Sequence, residues 1–219
     1  MTQPINQATN QAANQRIGTS DLQGIPHAGI DAKEWALRVD LAAAFRLAVH
    51  FDWHESVGNH FSAAVSADGK KFLLNPKWKH FSDIRASDLL LLNTDDPDVM
   101  NGPDAPDPTA WCIHGAVHAA APNARVLLHC HPTYATVLAT LKDPAIKPID
   151  QNTARFFNRI SIDLNYGGLA DEAEEGQRIA RAFGNQSIMM MGNHGVSVAA
   201  ETVAAAFDHL AVQQRPAPR

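Results

Sequence analysis

The chain has 219 residues, of which 45% are apolar and 19% charged, and its net charge is −5. These values suit one soluble globular domain with a sizeable core. The acidic balance argues against general nucleic-acid binding. No apolar run approaches the ~20 residues of a membrane span, and the N-terminus lacks the basic-then-apolar pattern of a signal peptide. The two cysteines, Cys112 and Cys130, provide no disulfide framework and suit a reducing, cytoplasmic setting.

Residues 1–22 are rich in Gln, Asn and Thr and read as a disordered tail. Residues 23–210 read as the folded domain, and 211–219 as a short C-terminal tail. Asp31 and Glu34 resemble a capping pair. Leu37, Leu41, Ala44, Phe45 and Ala48 then recur on one helical face, predicting a helix to about Phe51. Two strands, 60–66 and 71–74, flank an Asp68-Gly69 hairpin signal. Residues 88–93 read as a strand and the Asp- and Pro-rich 94–108 as a loop. Thr109 is the expected cap of a helix to Ala121, on which His114 and His118 share a face.

A strand should follow, ending in Val126-Leu127-Leu128-His129-Cys130-His131-Pro132, and then a helix from Thr133 to about Leu141. Residues 143–169 resist assignment apart from a strand near 159–164. An amphipathic helix over 172–183 closes at Gly184-Asn185. A hairpin comes next, with arms 187–191 and 196–199 and His194 at its tip. A last helix begins near Glu201. This mixture predicts an α/β fold, a hairpin-containing sheet with helices on both faces.

The most informative feature is His129-Cys130-His131 at the end of an apolar strand. Residues i and i+2 of a strand share a face, so the two imidazoles project together and Cys130 points away as inert packing. A third candidate, His194, stands in Gly192-Asn193-His194-Gly195. Three imidazoles with open positions for water or substrate form the ligand set of a catalytic metal rather than of a closed structural one. Spacing does not show whether His194 reaches the pair.

Three blocks of the chain resemble the class II aldolase/adducin family: Gly58-Asn59-His60-Phe61-Ser62, the stretch from His114 to His131, and 189–207 with its Gly-Asn-His-Gly-Val. The resemblance covers about residues 30–210. It implies an α/β/α sandwich around a mixed, largely antiparallel central sheet, in a homo-oligomer. It also implies that His129, His131 and His194 hold a divalent metal, zinc first, with manganese or iron as alternatives. A small-molecule substrate is implied, and neither nucleic acid nor membrane.

The chain departs from the sugar-phosphate aldolases of that family. Where they carry a catalytic Glu, four residues before the histidine matching His114, this chain has Ala110, and Asp104 and Asp107 are no obvious replacements. The phosphate loops are replaced by Asn75-Pro76-Lys77-Trp78-Lys79 and Asp107-Pro108-Thr109-Ala110, which lack the small residues that expose backbone N–H groups to phosphate.

The expected site residues beyond the metal set are therefore His114 as acid/base or fourth ligand and Asn59 as a catalytic and substrate-contacting group. Lys79 and Tyr134 are expected substrate contacts. His118 is a weaker candidate, and Trp78 and His80 are candidate pocket walls. The function that follows is a metal-dependent lyase cleaving a C–C bond, by retro-aldol reaction or decarboxylation, in a non-phosphorylated oxo- or hydroxy-acid. A non-heme iron oxygenase of aromatic oxo-acids and a non-catalytic adducin-like binding module are the alternatives. The few residues after Leu210 imply weaker oligomer contacts than longer relatives make.

Overall fold

The computed structural model describes residues 29–165 and 167–213. The tail expected over 1–22 lies outside the described residues, as do 214–219. Among the described residues seven strands form one sheet: β1 (His60–Ala64), β2 (Lys71–Leu74), β3 (Leu90–Asn93), β4 (Val126–Cys130), β5 (Ile160–Asp163), β6 (Ile188–Met191) and β7 (Gly195–Ala200). Their order is β3-β2-β1-β4-β7-β6-β5. Every neighbouring pair is antiparallel except β5 with β6. The expected mixed, largely antiparallel sheet is the one observed.

Helices cover both faces. α1 (Ala32–His50), α3 (Thr133–Ala139) and α6 (Val203–Gln213) share one core with Phe61, Ala63, Leu128 and Cys130. α2 (Pro108–Ala120) and α5 (Ala173–Phe183) share the other with Leu127, Met189 and Ala199. α4 (Gln151–Ala154) packs beside α6. Alternation along β4 decides the site. Val126, Leu128 and Cys130 enter the first core, so Leu127 and His129 face α2 and α5. Cys130 is completely buried among apolar groups, which raises its thiol pKa.

Local chemistry explains where elements begin. Asp31 caps α1, accepting from the N–H groups of Lys33 at 2.9 Å and Glu34 at 3.4 Å. Glu34 pairs with Arg38 at 2.8 Å instead of reaching back to the cap. α2 is capped by Asp107, not Thr109, with Pro108 in its first turn. α3 starts after Pro132 with no side-chain cap and stops at Ala139, short of Leu141. The strand expected over 88–93 begins only at Leu90, because Ala86–Asp88 forms a 3₁₀ turn. α6 runs to Gln213 and buries Val212, so it takes in three residues assigned to the C-terminal tail.

The hairpin turn at Gly69 is pressed against α2. Its φ is +75°, and a Cβ there would lie 2.2 Å from the carbonyl oxygen of His118. Only glycine meets both conditions.

Candidate metal centre

The register sets one row of side chains across three strands. His60 of β1 pairs with His129 of β4, and His129 pairs with Ser197 of β7. All three face α2 and α5. The His60 and His129 rings lie stacked, with centroids 4.7 Å apart. His131 follows the end of β4, and His194 sits in the turn between β6 and β7.

The expected triad converges. His129, His131 and His194 each offer a ligand nitrogen, and these atoms lie within 4.8 Å of one another. Nε2 of His129 is 3.1 Å from Nε2 of His131. Two nitrogens on one zinc ion, at bonds of ~2.1 Å, would stand about 3.0 to 3.4 Å apart.

The outer partners sharpen this fit. Nδ1–H of His131 donates to the Glu55 carboxylate, which leaves its Nε2 bare. The Ser197 hydroxyl lies 3.1 Å from Nδ1 of His129 and 3.5 Å from the Met191 sulfur, so it can accept from Nδ1–H of His129 while its own proton points to the sulfur. That tautomer leaves Nε2 of His129 bare as well. The two Nε2 atoms then aim their lone pairs at one shared point, where a cation can sit. The donor set therefore fits a divalent metal held by these three residues.

Beside the triad is a cavity of about 520 Å³. Its lining includes Gly58, His60, Thr109 and Ile113 together with His129 and His194. Arg178 lines it too, but its guanidinium is already paired with Asp163 at 2.8 Å and Glu175 at 2.7 Å. Those carboxylates raise its pKa and leave it little net charge to offer an anion.

Behind the cavity wall lies a buried chain of hydrogen bonds. Nδ1 of His60 is 2.7 Å from Nε2 of His114. Nδ1 of His114 bonds to the Ser62 hydroxyl, which is 2.6 Å from Nε2 of His118. Nδ1 of His118 is 2.6 Å from the carbonyl oxygen of Ala124. Burial keeps these rings neutral. It pulls the His60 pKa down to about 3 and that of His118 to about 4, and holds His114 well below the usual range. His129 is lowered by burial and then by neighbouring imidazoles, and His194 falls to about 4 for the same reasons.

Comparison with known proteins agrees with this architecture. The family described as Class II Aldolase and Adducin N-terminal domain matches residues 39–217. The chain belongs to that family. It is 30% identical over 175 residues to a class 2 aldolase-family protein of Caulobacter vibrioides, covering 80% of this chain and 67% of the relative. It is 28% identical to alpha-adducin of Rattus norvegicus over 93% of this chain but only 28% of the adducin. Among solved structures, an aldolase II superfamily protein from Pseudomonas syringae superposes with a TM-score of 0.73 at 31% identity, covering 84% of this chain and 73% of the other. L-fuculose 1-phosphate aldolase from Glaciozyma antarctica shares the fold, with a TM-score of 0.68 at 21% identity over 89% of this chain and 76% of that one.

The remaining expected residues of this class II aldolase/adducin domain fall outside the cavity lining. His114 is completely buried with both ring nitrogens engaged, so it meets the cavity only through His60. Asn59 is buried between Gly58 and His60, which do line the cavity. Its Oδ1 accepts from the N–H of Glu55 at 2.6 Å, and its Nδ2 has no partner among the described residues. Lys79 is paired with Asp88 at 2.7 Å. Tyr134 is exposed on α3. His118 is the inner end of the buried chain, and His80 faces His54 at 2.9 Å.

Four contributors are not among the site residues expected from the sequence, although His60 and Ser62 stand in the block that carries the resemblance. His60 and Ser62 stand at i and i+2 of a strand, the same signal that exposed the His129–His131 pair. Ser197 follows only from the register of β4 with β7. Glu55 is an exposed loop residue 76 positions from its partner, and nothing local marks it.

Proposed function

We propose that this domain is a metal-dependent lyase that cleaves a C–C bond, by retro-aldol reaction or decarboxylation, in a non-phosphorylated oxo- or hydroxy-acid. The observation that carries the reading is the convergence of His129, His131 and His194 beside a cavity that His129 and His194 line and that is large enough for a small organic acid. A divalent cation on this triad, zinc first and otherwise manganese or iron, supplies a Lewis acid that stabilises negative charge developing on a substrate oxygen. Glu55 and Ser197 hold two of the three imidazoles in the tautomer that a cation needs.

Local features disfavour a phosphosugar. The first N–H groups of α2, which would otherwise attract phosphate, are already taken. Asp107 accepts from Thr109 at 2.9 Å and Ala110 at 3.1 Å. Lys79 is held by Asp88, and Trp78 is largely exposed on its loop. Ala110 is buried in an apolar cluster with Phe72 and Leu92, so no carboxylate is offered from that position.

The enzyme is expected to act as a homo-oligomer on a small molecule. His114 acts through His60 rather than on substrate. A non-catalytic adducin-like module is the competing reading, favoured by Ala110 and by the adducin relatives. The test is elemental analysis of the purified protein with a screen of oxo- and hydroxy-acids for CO₂ or aldehyde release. One metal per chain, lost in His129→Ala together with turnover, supports the lyase. Absence of stoichiometric metal overturns it, while Fe(II) with oxygen uptake would replace it by an oxygenase.

A further inference from the structure

The hydrogen-bond chain behind the cavity has one polarity. It begins at the carbonyl of Ala124, which only accepts, so His118 must carry its proton on Nδ1. Nε2 of His118 is then an acceptor, and the Ser62 hydroxyl spends its single proton there. The Ser62 oxygen must accept from Nδ1–H of His114. Nε2 of His114 is left as an acceptor, and Nδ1–H of His60 donates to it. Each step removes the alternative tautomer of the next ring.

We propose that Ala124, through His118, Ser62 and His114, fixes His60 as the Nδ1–H tautomer, presenting a bare Nε2 to the cavity as acceptor for a substrate hydroxyl. His60 lines that cavity beside His129, and its Nε2 has no hydrogen-bond partner among the described residues. The role needs no change of protonation. His60 contacts substrate, whereas Ser62, His114 and His118 are positioning residues. The inference rests on the metal-site reading above and narrows it. Of the oxo- and hydroxy-acids, it selects a substrate with a hydroxyl next to its metal-chelating group.

This selection has a physical basis. Once a ligand fills the cavity, a bare acceptor on its wall gains from a hydroxyl and is left unpaired by a ligand that lacks one. A keto acid or a methyl analogue offers nothing to Nε2.

The test uses the full chain loaded with Zn(II) and two hydroxamates with the same chelating head, glycolohydroxamate and acetohydroxamate, which differ by one hydroxyl. Calorimetry should give about 3- to 10-fold tighter binding of the glycolo compound, the worth of one neutral hydrogen bond. His60→Phe should abolish that preference, with the two affinities falling to about the same value. Ser62→Ala should reduce the preference, and Ser62→Thr should restore it.

Long-range ¹H–¹⁵N spectra of histidine-labelled protein, with and without zinc, read the tautomer directly. Nε2 of His60 should resonate as unprotonated. Equal affinity for the two hydroxamates in the wild type, or a protonated Nε2, overturns the proposal. Failure to take up zinc overturns the lyase reading instead, and the spectra of the metal-free protein still decide the tautomer.

Discussion

The carboxylate of Glu55 holds Nδ1–H of His131 and so turns Nε2 of that ring toward Nε2 of His129, 3.1 Å away. The contact joins the loop before β1 to the end of β4. Glu55 itself is 65% exposed, so it adds little to the fold. Its consequence is specific to ligand geometry. Glu55→Ala should weaken zinc affinity by about 10- to 100-fold, as loss of an orienting partner does elsewhere, with almost no change in unfolding midpoint. Competition with a chromophoric chelator measures the first and urea denaturation the second. Unchanged affinity would mean that His131 is oriented by packing alone.

Gly195, the first residue of β7, packs against the His131 ring. A Cβ there would lie 2.4 Å from Cδ2 of His131 and 2.8 Å from the carbonyl oxygen of Cys130. Gly195→Ala must push the ring or the strand aside. It should lower stability by about 1 to 3 kcal/mol and reduce metal affinity together. Gly176→Ala is the control. Its Cβ would meet the Cys112 carbonyl at 2.4 Å, between α5 and α2. It should lower the Tm while leaving metal affinity intact. If both variants behave alike, the effect at Gly195 is general loosening.

The strand alternation that groups His129 with His131 was legible, because period 2 follows from backbone geometry alone. The hairpin that carries His194 was legible too, but not its approach to the pair, which depends on β7 lying against β4. The same limit hid Ser197, since sheet order joins residues 68 apart. The spacing on α2 marks His114, yet it lies one residue behind the cavity wall, because His60 occupies the space between. α4 was missed for want of periodicity: four residues, capped by Asp150, are too few to show one.

Ala110 invites an attempt to restore sugar-phosphate chemistry with Ala110→Glu. That change should fail. The side chain is 1% exposed among Phe72, Leu92 and neighbouring apolar groups. An unpaired carboxylate there costs about 3 kcal/mol or more. The variant should lose stability in denaturant and gain no aldol cleavage of a sugar phosphate. A stable variant with new aldolase activity would show that position 110 opens toward the cavity and that the rest of the aldolase site persists.

The buried imidazoles make stability depend on pH in a defined direction. In the unfolded chain a histidine titrates near 6.5, whereas folded His60 titrates at about 3 and His118 at about 4. Above pH 6.5 neither state is protonated at these sites and they impose no penalty. Below it the unfolded chain takes up protons that the folded protein refuses, so stability falls until the folded pKa values are reached. Between pH 7 and pH 5 each such group removes about 2 kcal/mol, and His114 and His129 shift in the same direction. Chelator-treated protein should therefore show a urea midpoint that drops steeply from pH 7 to pH 5, and should unfold in mild acid without denaturant. Replacing His118 by Phe should flatten that slope by about one proton. A midpoint that stays level over this range would mean that the buried rings are charged in the native state.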